Sequence, residues 1–148
     1  VRSLTLMGGG YPQRNGETNL VGDIPSARRV AETWPTPVVW SGYEAGDPIH
    51  AGSTISTTHP TTSPVRVAYE SFVGPRKWIL SYDLTAVYHA VRPSDPRLVL
   101  VGPGSNLIDD QGNNRFTTGP GNDHYLRLTD PAALTGVLAG LLQVVPPA

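Results

Sequence analysis

The feature that most restricts the fold is an apolar run halted by three glycines. Val1, Leu4 and Leu6 alternate with β-compatible residues up to Met7, and Gly8-Gly9-Gly10 then end the pattern. Glycine reaches backbone conformations closed to other residues, so the triplet predicts a strand that ends at Met7, in the middle of a sheet, followed by a sharp turn. A polar loop from Tyr11 to Asn19 follows, and Asp23-Ile24-Pro25 then leads into an Ala/Arg/Val run. Asp is a good N-cap and Pro is tolerated in the first helical turn, which gives the order strand, loop, helix. In open α/β sheets ligands bind in the crevice beyond the carboxyl ends of the strands, so Glu17 and Asn19 are the first functional candidates. Two residues separated by one in an extended loop point the same way, and a carboxylate beside an amide accepts from and donates to vicinal hydroxyls. The same residues also describe a solvated polar loop.

The next segments extend this into a βαβ plan. Pro25 to Thr33 carries Ala27, Val30 and Ala31 at helical spacing, with Arg28, Arg29 and Glu32 opposite, and Trp34-Pro35 ends it. Pro37 to Ser41 is short, apolar and β-branched, and Gly42 closes it, as in a strand buried on both faces of a parallel sheet. Leu4, Leu6, Val38 and Val39 are therefore expected in the core. Glu44, just past the second strand, either orients a ligand in the shared crevice or caps the next turn. Ala51 to Pro64 is rich in Gly, Ser, Thr, His and Pro without a period, and reads as a long loop.

Pro64 to Val73 reads as a helix between a starting Pro and Gly74-Pro75, packed on the sheet. Ser81 to Val91 has apolar residues at helical spacing, with Asp83 at its opening as a cap or, alternatively, a cation ligand. Beyond Arg97, the apolar pieces 98–101, 106–108, 115–117 and 124–128 alternate with turn residues, the pattern of a meander. The stretch from Asp109 to Asn113 fails the EF-hand spacing and reads as a turn. Asp130-Pro131 caps a last helix through Gln143, followed by a Pro-Pro-Ala tail.

Composition narrows the function classes. The 148 residues suit one domain with a proper core, and 11 Lys plus Arg against 12 Asp plus Glu leave a net charge of −1 with no basic run. Nothing points to nucleic acid or an anionic membrane, and no apolar run approaches the roughly 18 residues a bilayer requires. Arg outnumbers Lys ten to one, but the Arg residues are scattered and point to no binding surface. The absence of cysteine removes disulfides, thiolate metal sites and Cys nucleophiles, without separating the cytoplasm from an exported location. His50, His59, His89 and His124 have no metal-ligand spacing. The sequence opens at Val1, inside what reads as a core strand, the pattern of a fragment or a processed chain.

Several of these motifs together resemble the C-terminal half of the inosine-uridine-preferring nucleoside hydrolases: Met7-Gly8-Gly9, Glu17-x-Asn19, Asp23-x-Pro25-x-Ala27, Ser41-Gly42-Tyr43-Glu44-x-Gly46, and Tyr82-Asp83-x-x-Ala86-Val87. The resemblance covers nearly the whole chain. It implies an α/β fold with an open, mostly parallel sheet flanked by helices, with short C-terminal strands and a final helix. It also implies a Ca²⁺ that holds the ribose 2′ and 3′ hydroxyls while water attacks the anomeric carbon. By this resemblance Asp83 is a calcium ligand, Glu17 and Asn19 contact the ribose hydroxyls, Met7 lines the ribose pocket and Asn15 helps to bind the sugar. Tyr82 stands where many members carry a His that protonates the departing base, and where others stack an aromatic on the purine.

A hard cation takes oxygen ligands, and a carboxylate beside an oxocarbenium-like sugar stabilises its developing charge. The resemblance further implies a small-molecule partner, a nucleoside or sugar, and a homo-oligomer for the complete protein. The family's N-terminal Asp-x-Asp-x-x-x-Asp-Asp cluster does not occur in these residues. Residues 1–148 are thus expected to be the C-terminal part of one domain and not to turn over nucleosides alone. Three readings follow: half of a nucleoside N-ribohydrolase site, a catalytically degenerate nucleoside- or sugar-binding homologue, or a domain with an unrelated role on a common scaffold.

Overall fold

The computed structural model describes residues 1–144. The expected Pro-Pro-Ala tail at 146–148 lies outside them. The chain builds a mixed α/β fold. Strand β1 (Leu4–Met7) ends where the glycines begin, followed by the two-residue β2 (Gln13–Arg14), helix α1 (Thr18–Gly22), helix α2 (Ile24–Thr33) and strand β3 (Val38–Ser41). Asp23 caps α2 as expected, its carboxylate accepting from the Ser26 N–H at 3.1 Å. β1 and β3 run parallel, with Leu4 opposite Val38 and Met7 opposite Ser41. The short α3 (Tyr43–Gly46), β4 (His50–Ala51), α4 (Ile55–Thr58), α5 (Pro64–Val73) and β5 (Ile79–Leu80) lead to α6 (Tyr82–Val91). The last part holds β6 (Leu98–Ile108), β7 (Asn114–Thr118), β8 (Asp123–Leu128) and α7 (Pro131–Leu142), which Asp130 caps through the Ala133 N–H.

The main sheet has the order β1-β3-β8-β6-β7-β2, parallel at β1-β3-β8 and antiparallel from β8 through β6 and β7 to β2. Successive residues of β3 feed opposite cores, as period-two geometry requires. Val38 and Trp40 pack with Leu20, Ile108 and Phe116 under α1 and α2. Val39 packs with Ala45, Tyr88, Leu98, Leu126, Leu134 and Leu138 under α3, α6 and α7. Helices therefore cover both faces. Beyond α6, Asp95 ties the turn down: it accepts from the Tyr88 hydroxyl and from the Arg97 guanidinium, and these bonds hold its carboxyl well below the usual carboxylate range.

Five expectations are corrected. Met7 ends an edge strand rather than a central one, because β1 pairs with β3 alone. Leu4 and Leu6 are accordingly half-buried, whereas Val38 and Val39 are buried. The C-terminal strands are not a simple meander: β6 and β7 form a hairpin, but β8 lies between β3 and β6. That return is allowed by Gly121, at φ +153°, where an added Cβ would lie 2.1 Å from the Gly104 carbonyl oxygen. Helix α5 buries no residue fully and packs mainly on α4 rather than on the main sheet. Finally, the stretches 11–19 and 51–64 are not plain loops, since they contain β2, the start of α1, and α4.

Leu126 is fully buried in the central strand β8. Leu126→Ala should lower unfolding free energy by about 2–5 kcal/mol, the usual range for a buried Leu truncation, as measured by equilibrium denaturation.

Candidate functional site

The carboxyl ends of β1 and β3 meet at the glycine loop. Gly8 N–H donates to the Ser41 carbonyl at 3.1 Å, and Tyr43 N–H to the Gly9 carbonyl at 2.9 Å. Gly9 has φ +74°, and a Cβ there would sit 2.9 Å from both Asn114 Oδ1 and the Tyr11 hydroxyl. Only glycine meets both demands. The loop thus rests directly on the Tyr11 hydroxyl and on Asn114, which comes from far along the chain.

Glu17 is the organising carboxylate. It is 5% exposed, and its Oε2 accepts from the Gly9 N–H at 2.9 Å. Both of its oxygens accept from the Asn19 N–H at 3.1 Å, so Glu17 is also the N-cap of α1. The expected extended pair is therefore replaced by a cap: Glu17 turns inward while Asn19, the second residue of the helix, stays exposed. A helix start needs an acceptor for its free N–H groups, and that need overrides strand-like alternation. The Asn19 Nδ2 lies 2.8 Å from Met7 Sδ and 3.5 Å from the Met7 carbonyl oxygen. Met7, Glu17 and Asn19 are thus brought together. Met7 and Asn19 also border a cleft of about 230 Å³ that reaches Trp40.

The other expected site residues separate from this trio. Asn15 is exposed and lines a polar cleft of about 410 Å³ against β7, with Asp109, Asn113 and Arg115. Asp83 is exposed in the first turn of α6, where Ser81 holds the N-cap position, and it borders an apolar cleft with Tyr69, Phe72, Ile79 and Leu84. Calcium takes about six to eight oxygen ligands. Among the described residues no three His, Cys, Asp or Glu side chains gather where they could hold a metal.

Tyr82 does join the crevice. A Cβ at Gly46 would lie 2.4 Å from the Tyr82 Cα, so this glycine lets α3 and α6 touch. The Tyr82 ring packs on Tyr43 at 5.2 Å, and the Arg14 guanidinium lies 3.7 Å over the Tyr43 ring. The Tyr82 hydroxyl donates to Asp47 at 3.0 Å. Burial, then the hydrogen bonds to Tyr43 and Asp47, push its acidity far below that of a free phenol. It offers a ring face and holds its proton.

Beneath the loop lies a buried polar network that sequence reading missed. Asn114 accepts from the Gly10 N–H at 2.9 Å and donates to the Gly10 carbonyl at 3.0 Å, clasping the backbone of that residue with both ends of its amide. Asn106 donates to the Tyr11 hydroxyl at 3.0 Å, and its own N–H donates to Asp123 at 2.8 Å. Burial, and secondarily Glu44, Asp123 and Glu17, raise the Tyr11 pKa, keeping the phenol neutral. The Asn114–Gly10 and Asn106–Tyr11 contacts join residues 104 and 95 positions apart, and only the Gly-rich start hinted that something would press close to it.

Glu44 is half-buried in the first turn of α3, and its Oε1 is buried with no hydrogen-bond partner. Burial raises its pKa above the ordinary 4.5, while nearby backbone N–H groups and Arg14 act in the opposite direction. The folded state therefore holds this proton more tightly than the unfolded chain, and the Glu44 contribution to stability falls as pH rises through the folded pKa. Glu44→Gln, which cannot ionise, should match the wild type in acid below pH 4.5 and be the more stable protein at neutral pH. Urea denaturation of both proteins across this range measures the gap.

No protein-family model matches the chain, and no curated protein is significantly similar to it.

Proposed function

We propose that the carboxyl ends of β1 and β3 form the sugar-binding half of a nucleoside N-ribohydrolase-type site. One observation carries this reading: Met7, Glu17 and Asn19 converge on the glycine turn, with Glu17 fixed by the N–H groups of Gly9 and Asn19. A carboxylate held this way is pre-oriented, and at 5% exposure it acts on a sugar chiefly as a fixed negative charge beneath the turn. Asn19, exposed beside it, supplies a donor and an acceptor to the sugar hydroxyls. In the hydrolytic reading Glu17 stabilises positive charge that develops on the sugar as the N-glycosidic bond breaks. Tyr82 would then stack on the departing base through its ring face. Calcium would hold the ribose hydroxyls in such a site, and Asp83, the ligand that the resemblance implies, belongs to no group of three acidic or histidine side chains among the described residues.

The second reading, a nucleoside- or sugar-binding protein without hydrolysis, is favoured by Tyr82 specifically. Its hydroxyl is committed to Asp47 and does not release its proton at neutral pH. Leaving-base protonation therefore has no donor at this position. Both readings share the same contacts to the sugar and differ in turnover.

Titration of the isotope-labelled chain with inosine and with 2′,3′-dideoxyinosine tests the shared part. Saturable amide shifts are expected at Gly9 and Asn19 for inosine, weakened or absent for the dideoxy analogue, with Asn19→Ala reducing inosine affinity by roughly tenfold, the scale of one hydrogen bond. Equal responses to both nucleosides, or no response at the glycine loop, would remove the proposal. Release of free hypoxanthine by the chain would decide for the hydrolytic reading over the binding one.

A further inference from the structure

Strand β1 leaves one edge of the sheet open: among the described residues it pairs with β3 alone. The N–H groups of Leu4 and Gly8 donate to the carbonyls of Pro37 and Ser41, so the even-numbered residues turn their backbone groups toward β3. Backbone groups of successive residues face opposite sides of a strand in a parallel pair. The N–H and C=O groups of Ser3, Thr5 and Met7 therefore point away from the sheet, and Asn19 Nδ2 approaches the Met7 carbonyl oxygen from that side at 3.5 Å. An unpaired row of this kind is a template for a further strand, and edges that stay single are short, charged, bulged or interrupted by proline. The opposite edge of the sheet has such protection, since β2 is two residues long, follows Pro12 and contains Arg14. β1 has none: its four residues are uncharged, in regular register and free of proline.

We propose that two copies of the chain pair β1 with β1, antiparallel about a two-fold axis through Thr5, so that their sheets become continuous. Inverting the strand about Thr5 sets Thr5 against Thr5, Ser3 against Met7, Leu4 against Leu6 and Arg2 against Gly8. The outward-facing residues Ser3, Thr5 and Met7 then exchange N–H···O bonds with their opposites. The sequence is self-complementary in this register. Arg2 is the only charged residue among the first ten and meets a glycine, so no like charges face each other. Leu4 and Leu6 are half-buried on the sheet face under α1 and α2. A two-fold axis normal to the sheet keeps that face common to both copies, so the four leucines adjoin and cover apolar area that each copy alone leaves in water. On the other face the two Thr5 side chains form a favourable cross-strand pair. Such a patch closes on itself as a dimer, and a net charge of −1 per chain adds little repulsion. The paired segment is short, so the dimer is weak and depends on concentration. The pairing uses the backbone of Met7 and neither Glu17 nor Tyr82, and does not depend on what the glycine loop binds.

Sedimentation velocity of the chain from micromolar to millimolar concentration, beside residue-resolved amide hydrogen exchange at both ends of that range, tests the pairing. A monomer–dimer equilibrium is expected, with exchange at Thr5 slowing roughly tenfold as the dimer forms and exchange at Leu6, whose N–H faces β3, changing far less. Thr5→Pro removes the outward N–H but leaves the β1–β3 ladder intact, because proline is tolerated where an edge N–H faces solvent. It should give a folded monomer at all concentrations, whereas Thr5→Val keeps the N–H and should still dimerise. A wild-type chain that stays monomeric at millimolar concentration overturns the proposal. So does association that leaves Thr5 exchange unchanged, association that continues beyond the dimer, or a folded Thr5→Pro that dimerises. If Thr5→Pro fails to fold, the wild-type exchange pattern decides alone.

Discussion

The arrangement depends on the two-ended grip of the Asn114 amide on the Gly10 backbone. A glycine-rich turn gains no order from side chains of its own, and fixing each residue costs about 1–2 kcal/mol of backbone entropy. Asn114 offsets part of that cost from below, and Glu17 does so from above through the Gly9 N–H. Both groups are buried, and a buried amide that lost its partners would carry its full desolvation penalty. The turn and its two clamps are therefore expected to form together.

This coupling explains how much could be read from the sequence. The strand before the glycines, the caps at Asp23 and Asp130, the buried Val38-Val39 strand and the helices with Pro25, Pro64 and Pro131 in their first turns all follow from local chemistry, and the chain adopts them. The turn at Asp109 to Asn113 does too, with the Asp109 carboxylate accepting from the N–H groups of Gln111 and Asn113. Strand order did not follow, because the return of β8 to a place between β3 and β6 rests on the close backbone approach at Gly121. Nor did the roles of Asn106 and Asn114. An isolated Asn in a polar strand reads as a surface residue, and only a partner about a hundred residues away gives it a reason to be buried.

The candidate site was legible only in part, for a related reason. Met7, Glu17 and Asn19 are close in sequence, so local folding gathers them, although capping of α1 rather than strand alternation sets their geometry. Asp83 and Asn15 required long-range placement, and the fold sends one toward an apolar cleft under α5 and the other toward β7. Tyr82 reaches the crevice because Gly46 removes the side chain that would hold α3 and α6 apart. Burial then sets the chemistry: Tyr11 and Tyr82 stay neutral, and Glu44 binds its proton more tightly than an exposed carboxyl does.

The most direct measurement of the central claim, that Asn114 holds the glycine turn, is native-state amide hydrogen exchange in Asn114→Ala. If Asn114 is the clamp, Gly10 should lose protection selectively, well beyond any uniform loss across β3 and β8, because the acceptor of its N–H is gone. Protection at Gly10 that is unchanged, or that falls only in step with the whole sheet, would contradict it.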